Sequence, residues 1–217
     1  GMVYNGMGDY LKALEYYQKS LEIRKRSLPV DHPDLATSYN HIGSVYHNMN
    51  QYSKALEYYE KSLEIRKRSL PVDHPDLATS YSNIGAVYDR LGEYTKSLEY
   101  YHKSLEIRKR SLPVDHPDLA TSYSNIGVVY HNMDEYSKAL EYYHQSLEIM
   151  KRSLPIDHPD LATSYNNIGV AYHNMNQYSK ALEYYEKSLE IIEKTLPSNH
   201  WKIKELKENI ELIRSSQ

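Results

Sequence analysis

The sequence predicts an all-α fold, a solenoid of stacked antiparallel helix pairs, and two observations predict it. The stretch Asp73-His74-Pro75-Asp76-Leu77-Ala78-Thr79-Ser80-Tyr81-Ser82-Asn83-Ile84-Gly85 recurs almost unchanged from Asp31, Asp115 and Asp157, and Pro29, Pro71, Pro113, Pro155 and Pro197 fall 42 residues apart. Such a period marks one supersecondary unit that buries its apolar face only against its neighbours. Within the unit, apolar residues recur at three- and four-residue steps, the spacing of a helix face. A solenoid grows by stacking, so the length of 217 residues sets no domain count.

The chain opens inside a unit, since Gly1-Met2-Val3-Tyr4 aligns with Gly43-Ser44-Val45-Tyr46. The expected organisation is a truncated first repeat over 1–28, repeats over 29–70, 71–112, 113–154 and 155–196, and a capping helix over 197–217. The truncated repeat holds half a first helix, the turn Gly8-Asp9-Tyr10 and a second helix from about Lys12 to Ser27. With half of that first helix missing, Tyr10, Leu14, Tyr17 and Leu21 are expected to lack cover on one side. The stub Gly1 to Met7 is too short to hold a helix by itself. An exposed apolar patch finds partners, so a homodimer through this N-terminal end is expected.

In the full repeats Pro75 suits the first helical position, and Asp76 favours the positive end of the helix dipole. Leu77, Tyr81, Ile84, Tyr88 and Leu91 form the apolar stripe of the first helix. Gly92 ends it, and the counterparts Asn50, Asp134 and Asn176 also tolerate a left-handed C-cap. The second helix carries Tyr94, Leu98, Tyr101, Leu105 and Leu112 on one face. Ser97, Tyr100, Ser104 and Ile107 make a second face, expected to meet the next unit, and Pro113 stops the helix. Gly43, Gly85, Gly127 and Gly169 are expected where the two helices come closest, opposite Ala55, Ser97, Ala139 and Ala181. The segment from Asn199 to Gln217 reads as a rewritten first helix, apolar at Ile203, Leu206, Ile210 and Ile213 and otherwise rich in Lys and Glu. It is expected to cover the last unit.

Tyr39-x2-Ile42-Gly43-x2-Tyr46 followed by Ala55-x3-Tyr59 resembles the tetratricopeptide pattern; armadillo and HEAT repeats have periods near this length but lack that two-helix signature. The usual tetratricopeptide unit has about 34 residues, and the excess here falls at the end of the second helix and in the Ser-Leu-Pro-Val-Asp-His-Pro linker. With Asp-His-Pro-Asp-Leu-Ala, Asn166-Asn167-Ile168-Gly169 and Ser-Leu-Glu-Ile-Arg, this variant is similar to the repeats of the kinesin light chain family over nearly the whole chain. The resemblance implies a right-handed superhelix whose first helices line a concave groove. It also implies peptide cargo in that groove, some of it acidic around a tryptophan.

Composition excludes several classes of function. The net charge of −3 offers no bulk attraction to nucleic acid or anionic membrane, and without cysteine there is no disulfide or thiolate chemistry. No apolar run is long enough for a membrane span or signal peptide, so the expected location is cytoplasmic. His32, His74, His116, His158 and His200 stand one repeat apart. Packed helices lie about 8–10 Å apart, too far for shared zinc ligands at about 2 Å, so these histidines read as turn and capping residues. Most of the 24 tyrosines occupy apolar helix positions and read as core rather than as base-stacking platforms. Arg24-Lys25-Arg26, Arg66-Lys67-Arg68 and Arg108-Lys109-Arg110 lie in last helical turns, where cations are favoured, with Glu22, Glu64 and Glu106 placed to pair with the last arginine of each. No phosphate loop or dinucleotide fingerprint occurs, and nearly every Ser, His and Asp recurs in register, so neither an enzyme, a cofactor nor a metal is expected.

One variable polar surface remains on the first helices. It comprises Thr37, Asn40, His41, Ser44, His47 and Asn48, then Thr79, Ser82, Asn83, Asp89 and Arg90. It continues with Thr121, Ser124, Asn125, His131 and Asn132, then Thr163, Asn166, Asn167, His173 and Asn174. Asparagine both donates to and accepts from a peptide backbone, and Arg90 is the one Arg or Lys in the set. The expected function is a protein-interaction scaffold that holds a peptide or protein segment on this surface. The alternative is a structural or self-associating array, natural or engineered, with no cargo.

Overall fold

The computed structural model describes residues 1–215, and those residues form helices and turns only. The helices are α1 (Met2–Gly6), α2 (Tyr10–Ser27), α3 (Pro33–Asn48), α4 (Tyr52–Ser69), α5 (Pro75–Arg90), α6 (Tyr94–Ser111), α7 (Pro117–Asn132), α8 (Tyr136–Ser153), α9 (Pro159–Asn174), α10 (Tyr178–Thr195) and α11 (Trp201–Ser215). The expected end of the last helix at Gln217 lies outside the described residues. The chain divides into two compact units, Gly1–Ser111 and Leu112–Gln217. In the first unit α3 pairs with α4 and α5 with α6, and α2 and α4 each pack on the first helix of the following repeat. In the second, α7 pairs with α8 and α9 with α10, while α8 packs on α9 and α10 on α11.

Local sequence sets the helix ends. His32, His74, His116 and His158 are N-caps, each accepting through Nδ1 the backbone N–H two residues on, at 3.1–3.2 Å. His200 does the same for Lys202 at 3.3 Å. The ladder of histidines is thus a ladder of caps. Asn50, Asp134 and Asn176 take φ of 57–59° and Gly92 takes 73°, the left-handed turn that separates the two helices of a pair.

The expected faces of the second helix are exchanged. Ser62 and Ser104 donate to the carbonyls of Ala36 and Ala78, in the first helix of their own repeat, at 2.8 Å. Ser97 donates to Gly85 O at 2.8 Å, and Tyr100 stacks on Tyr88 of the same pair. It is Tyr59 and Leu63 that share a core with Leu77 and Ala78 of the next repeat, as Tyr143 and Leu147 do with Leu161 and Ala162. Small Ser and Ala side chains admit the close crossing within a pair, and the larger Leu and Tyr fill the wider gap between pairs. Two positions of the expected stripes fall outside them: Leu112 lies one residue beyond α6, and Leu91 is exposed where its helix has already turned. The backbone oxygens of Ser97 and Ala139 do lie 3.3 Å from a Cβ added at Gly85 and Gly127, and a tyrosine ring two turns beyond the start of the second helix stands nearer still. A Cβ added at Gly43, Gly127 or Gly169 would lie 2.6–2.7 Å from Tyr59, Tyr143 or Tyr185.

The N-terminal stub is helical after all. It rests on α2, where Tyr4 stacks on Tyr16 with centroids 5.4 Å apart and the Lys12 ammonium sits over Tyr4. Leu14 and Leu21 are only 8% and 6% exposed, joined in one core with Leu35 and Ala36 of α3. Of the four residues expected to lack cover, Tyr10 and Tyr17 are half-buried, while Met2, Val3, Met7, Leu11 and Ile23 around them are 67–75% exposed. Tertiary packing supplies what five residues of helix propensity cannot.

Candidate functional site

The basic triplets do not all face solvent. Arg66 and Arg108 are 6% and 9% exposed. Arg66 Nη1 donates to Asp76 O at 2.9 Å and to Ser80 Oγ at 2.8 Å, tying the end of α4 to the start of α5. Arg24 makes the same two bonds to Asp34 and Ser38, at 3.0 and 2.7 Å. In α8 the position is Met150, whose sulfur accepts from Ser164 Oγ, and in α10 it is Ile192. Sequence reading missed these inward arginines because their neighbours at the helix end mask them. The one signal was their loss, to Met150 and Ile192, while the following basic positions persist longer. Of the expected pairs, Glu22 and Glu64 reach Arg26 and Arg68 at 3.9 Å. Arg110 instead meets Asp73 at 2.8 Å, and Glu106 meets Lys109 at 3.5 Å.

All the polar positions singled out on the first helices are half-buried or exposed, and none is in the core. Thr37, Thr79, Thr121 and Thr163 donate to the proline carbonyl one turn back in their own helices, at 3.2–3.3 Å. They serve the helix first. In the first unit Asn83 Nδ2 donates to Asn40 Oδ1 at 2.8 Å, and Asn48 Nδ2 to Asn5 Oδ1 at 3.2 Å, so amides pair from one first helix to the next. In the second unit Asn174 Nδ2 lies 3.4 Å from His131 Nε2. Asn125, Asn166 and Asn167 make no side-chain hydrogen bond among the described residues, and neither do Ser82 and Ser124. Asparagine offers two donors and one acceptor oxygen, so even the paired amides keep capacity for a peptide.

The face is electrically quiet. Burial holds His41 below the ordinary imidazole pKa, with help from the Arg24 and Arg66 guanidiniums. Burial does the same for His47, where Arg90 adds to the effect, and for His131. These imidazoles are neutral near pH 7, and the formal charges of the set are Asp89 and Arg90, adjacent and opposite. The face offers hydrogen-bonding groups rather than net charge.

A cleft of about 620 Å³ lies elsewhere, among Lys67, Leu70, Val72, Tyr81, His102 and Arg110. Its equivalents recur around Tyr39 and Tyr165, at about 400 and 470 Å³, so it follows from the linker geometry of the repeat. Part of its charged rim is neutralised from within, by Arg110 on Asp73 and Lys103 on Glu99. The first-helix face carries a cleft of about 390 Å³ between α9 and α11, lined by Thr163 and Asn166 of the expected set.

Helix pairs repeated in this register carry a family signature over residues 1–68, 76–152 and 118–194, which match the model described as Tetratricopeptide repeat. The chain belongs to the tetratricopeptide repeat family. Its solved structural neighbours in this family's style of fold include BtubC (BKLC) from P. vanneervenii, with TM-score 0.79 and 23% identity over 91% of this chain and 80% of that one. A putative kinesin light chain from Podosopora anserina with nearly identical TPR-like repeats gives TM-score 0.76 and 23% identity over 91% and 93%. The apo form of RapI gives TM-score 0.78 and 23% identity over 90% and 68%. No curated protein matches the sequence. The kinesin-light-chain-like subtype read from the 42-residue period therefore holds at the level of fold. No helix among the described residues is long and apolar enough to cross a membrane.

Proposed function

We propose that this tetratricopeptide repeat chain is a non-enzymatic interaction scaffold, working in the cytoplasm, that binds an extended peptide or protein segment along its first helices. Tetratricopeptide repeat chains generally mediate protein–protein interactions, and the first-helix face is where this chain varies most between otherwise matching repeats. The observation that carries the reading is the set of amides at Asn125, Asn166 and Asn167, solvent-accessible and without a hydrogen bond among the described residues. An amide of this kind matches the N–H and C=O of a peptide main chain. The single opposite charges of Asp89 and Arg90 and the neutral imidazoles of His41, His47 and His131 favour a segment recognised by its backbone and apolar side chains.

A peptide array on the isolated protein identifies binders, and the variant Asn83→Ala/Asn125→Ala/Asn167→Ala tests the face. Binding is expected to weaken with a stability change of about 0.5 kcal/mol or less per exposed site, somewhat more at Asn83, whose bond to Asn40 is lost. Unaltered binding in the triple variant places the site elsewhere. An array that captures no peptide favours the structural or self-associating alternative.

A further inference from the structure

Two junctions between first helices, one inside each compact unit, share a frame and differ in their filling. Ser62 donates to Ala36 O between α3 and α4, and Ser188 donates to Ala162 O between α9 and α10, each at 2.8 Å. At the α3–α5 junction Arg66 occupies the floor, bonded to Ser80, and Asn83 closes the top by bonding to Asn40. At the α9–α11 junction the floor positions are Ile192 and Leu206, 8% and 4% exposed. The amides of Asn166 and Asn209 hold the places of Asn40 and Asn83, but no hydrogen bond joins them or engages either among the described residues. The result is a cleft of about 390 Å³ with an apolar floor, flanking amides and Trp201 at its lip.

We propose that this cleft is a binding site for one bulky, uncharged apolar side chain of a bound peptide, of leucine or phenylalanine size. The inference rests on the peptide-binding reading of the first-helix face and names its anchor. Three features select this occupant. Ile192 and Leu206 form the floor, and the hydroxyls of Ser188 and Thr195 beside them already donate to the carbonyls of Ala162 and Ile191, so a charged side chain recovers little of its lost hydration there. The two unengaged amides can take the N–H and C=O of the residue whose side chain descends. At the rim Lys202 and Glu205 cancel in charge, so no charged ligand is favoured. The cleft's volume falls in the range of about 300–1,000 Å³ usual for small-ligand pockets, with an apolar floor below a polar rim.

The molecule carries its own reporter, because Trp201 is its one tryptophan and is 63% exposed. The probe is a capped Ser-Gly-Leu-Gly-Ser peptide, with central Ala as control, titrated against the full chain while tryptophan emission is followed. The leucine peptide is expected to shift that emission saturably and to bind about tenfold or more tighter than the alanine peptide. Ile192→Arg with Leu206→Ser rebuilds the filling of the α3–α5 junction and is expected to weaken the leucine peptide about tenfold or more, with helix content retained. If that protein loses helix, Asn166→Ala with Asn209→Ala leaves the floor intact and is expected to weaken the same peptide severalfold. No saturable shift, equal binding of the two peptides, or undiminished binding in the folded variants overturns the proposal. Array-selected peptides that still bind the Ile192→Arg/Leu206→Ser protein but lose affinity in the Asn83, Asn125 and Asn167 variant overturn the pocket while leaving the wider face in place.

Discussion

At the scale of single residues, each glycine at a helix crossing has a tyrosine ring close against it. A methyl group at Gly127 would meet the Tyr143 ring at 2.6 Å, whereas at Gly85 the nearest atom of Tyr101 is 3.1 Å away. The difference coincides with Ser97, which stands where the other repeats have alanine and bonds to Gly85 O. Alanine gains about 1 kcal/mol of helix propensity over glycine, while overpacking costs about 1–3 kcal/mol. Gly127→Ala and Gly169→Ala are therefore expected to destabilise, and Gly85→Ala to come out closest to neutral. Denaturant midpoints of the three variants check the order, and equal midpoints would sink it.

At the scale of helices, the buried arginines decide how one repeat docks on the next. Arg66 faces Asp76 at 3.7 Å, but its bonds to Asp76 O and Ser80 Oγ are the closer ones. Hydrogen bonds to a charged group contribute about 1.5–3 kcal/mol, so Arg66→Ala, which strands Ser80, is expected to cost within or above that range. Arg66→Met is expected to cost less, because Met150 against Ser164 is the chain's own version of that contact. A melt in which Met is as harmful as Ala would count against it. Much of this scale was legible in advance. Proline spacing gave the period, and His74 and its equivalents and the left-handed Asn50, Asp134 and Asn176 marked the helix ends. Which face of the second helix meets which neighbour was not legible, since Ser97 and Ser104 lie on a stripe of the same period as Leu98 and Leu105. Arg66 was hidden because burial of a charge shows only in its partners. The open amides of Asn125, Asn166 and Asn167 were nameable as candidates, but the Asn40–Asn83 bond depends on the stagger between helices, which no single repeat encodes.

At the scale of the whole molecule, titration of buried side chains sets the pH range of stability. Burial pushes Tyr59 and Tyr185 up to about 12 and raises Tyr101 further. In the unfolded chain these phenols ionise near 10, so the stability from keeping them neutral is complete below about pH 10 and is lost as pH climbs towards about 12. The urea midpoint is expected to be flat up to about pH 10 and to fall steeply above it, with the last phenolate absorbance appearing together with loss of helix. Phenolate formation that runs to completion while the helices persist would contradict the burial described for these rings.

The Arg66–Ser80 docking has a consequence for how such a chain changes in length. The end of one repeat and the start of the next form a matched plug and socket, and Arg24 with Ser38 is the same coupling. Any segment cut at two such couplings carries a socket at one end and a plug at the other. A duplicated 71–112 segment can therefore be spliced in after residue 112 without creating a new kind of joint. The coupling at Ile192 and Leu206 is differently keyed, so a copy of α11 placed after α6 would set Arg108 against leucine. Copy number is free to vary where arginine and serine flank both cuts, and is fixed at that joint. A chain lengthened by 71–112 is expected to melt at or above the parent temperature, since nearest-neighbour interfaces add in a repeat array, while α11 grafted after α6 is expected to melt lower.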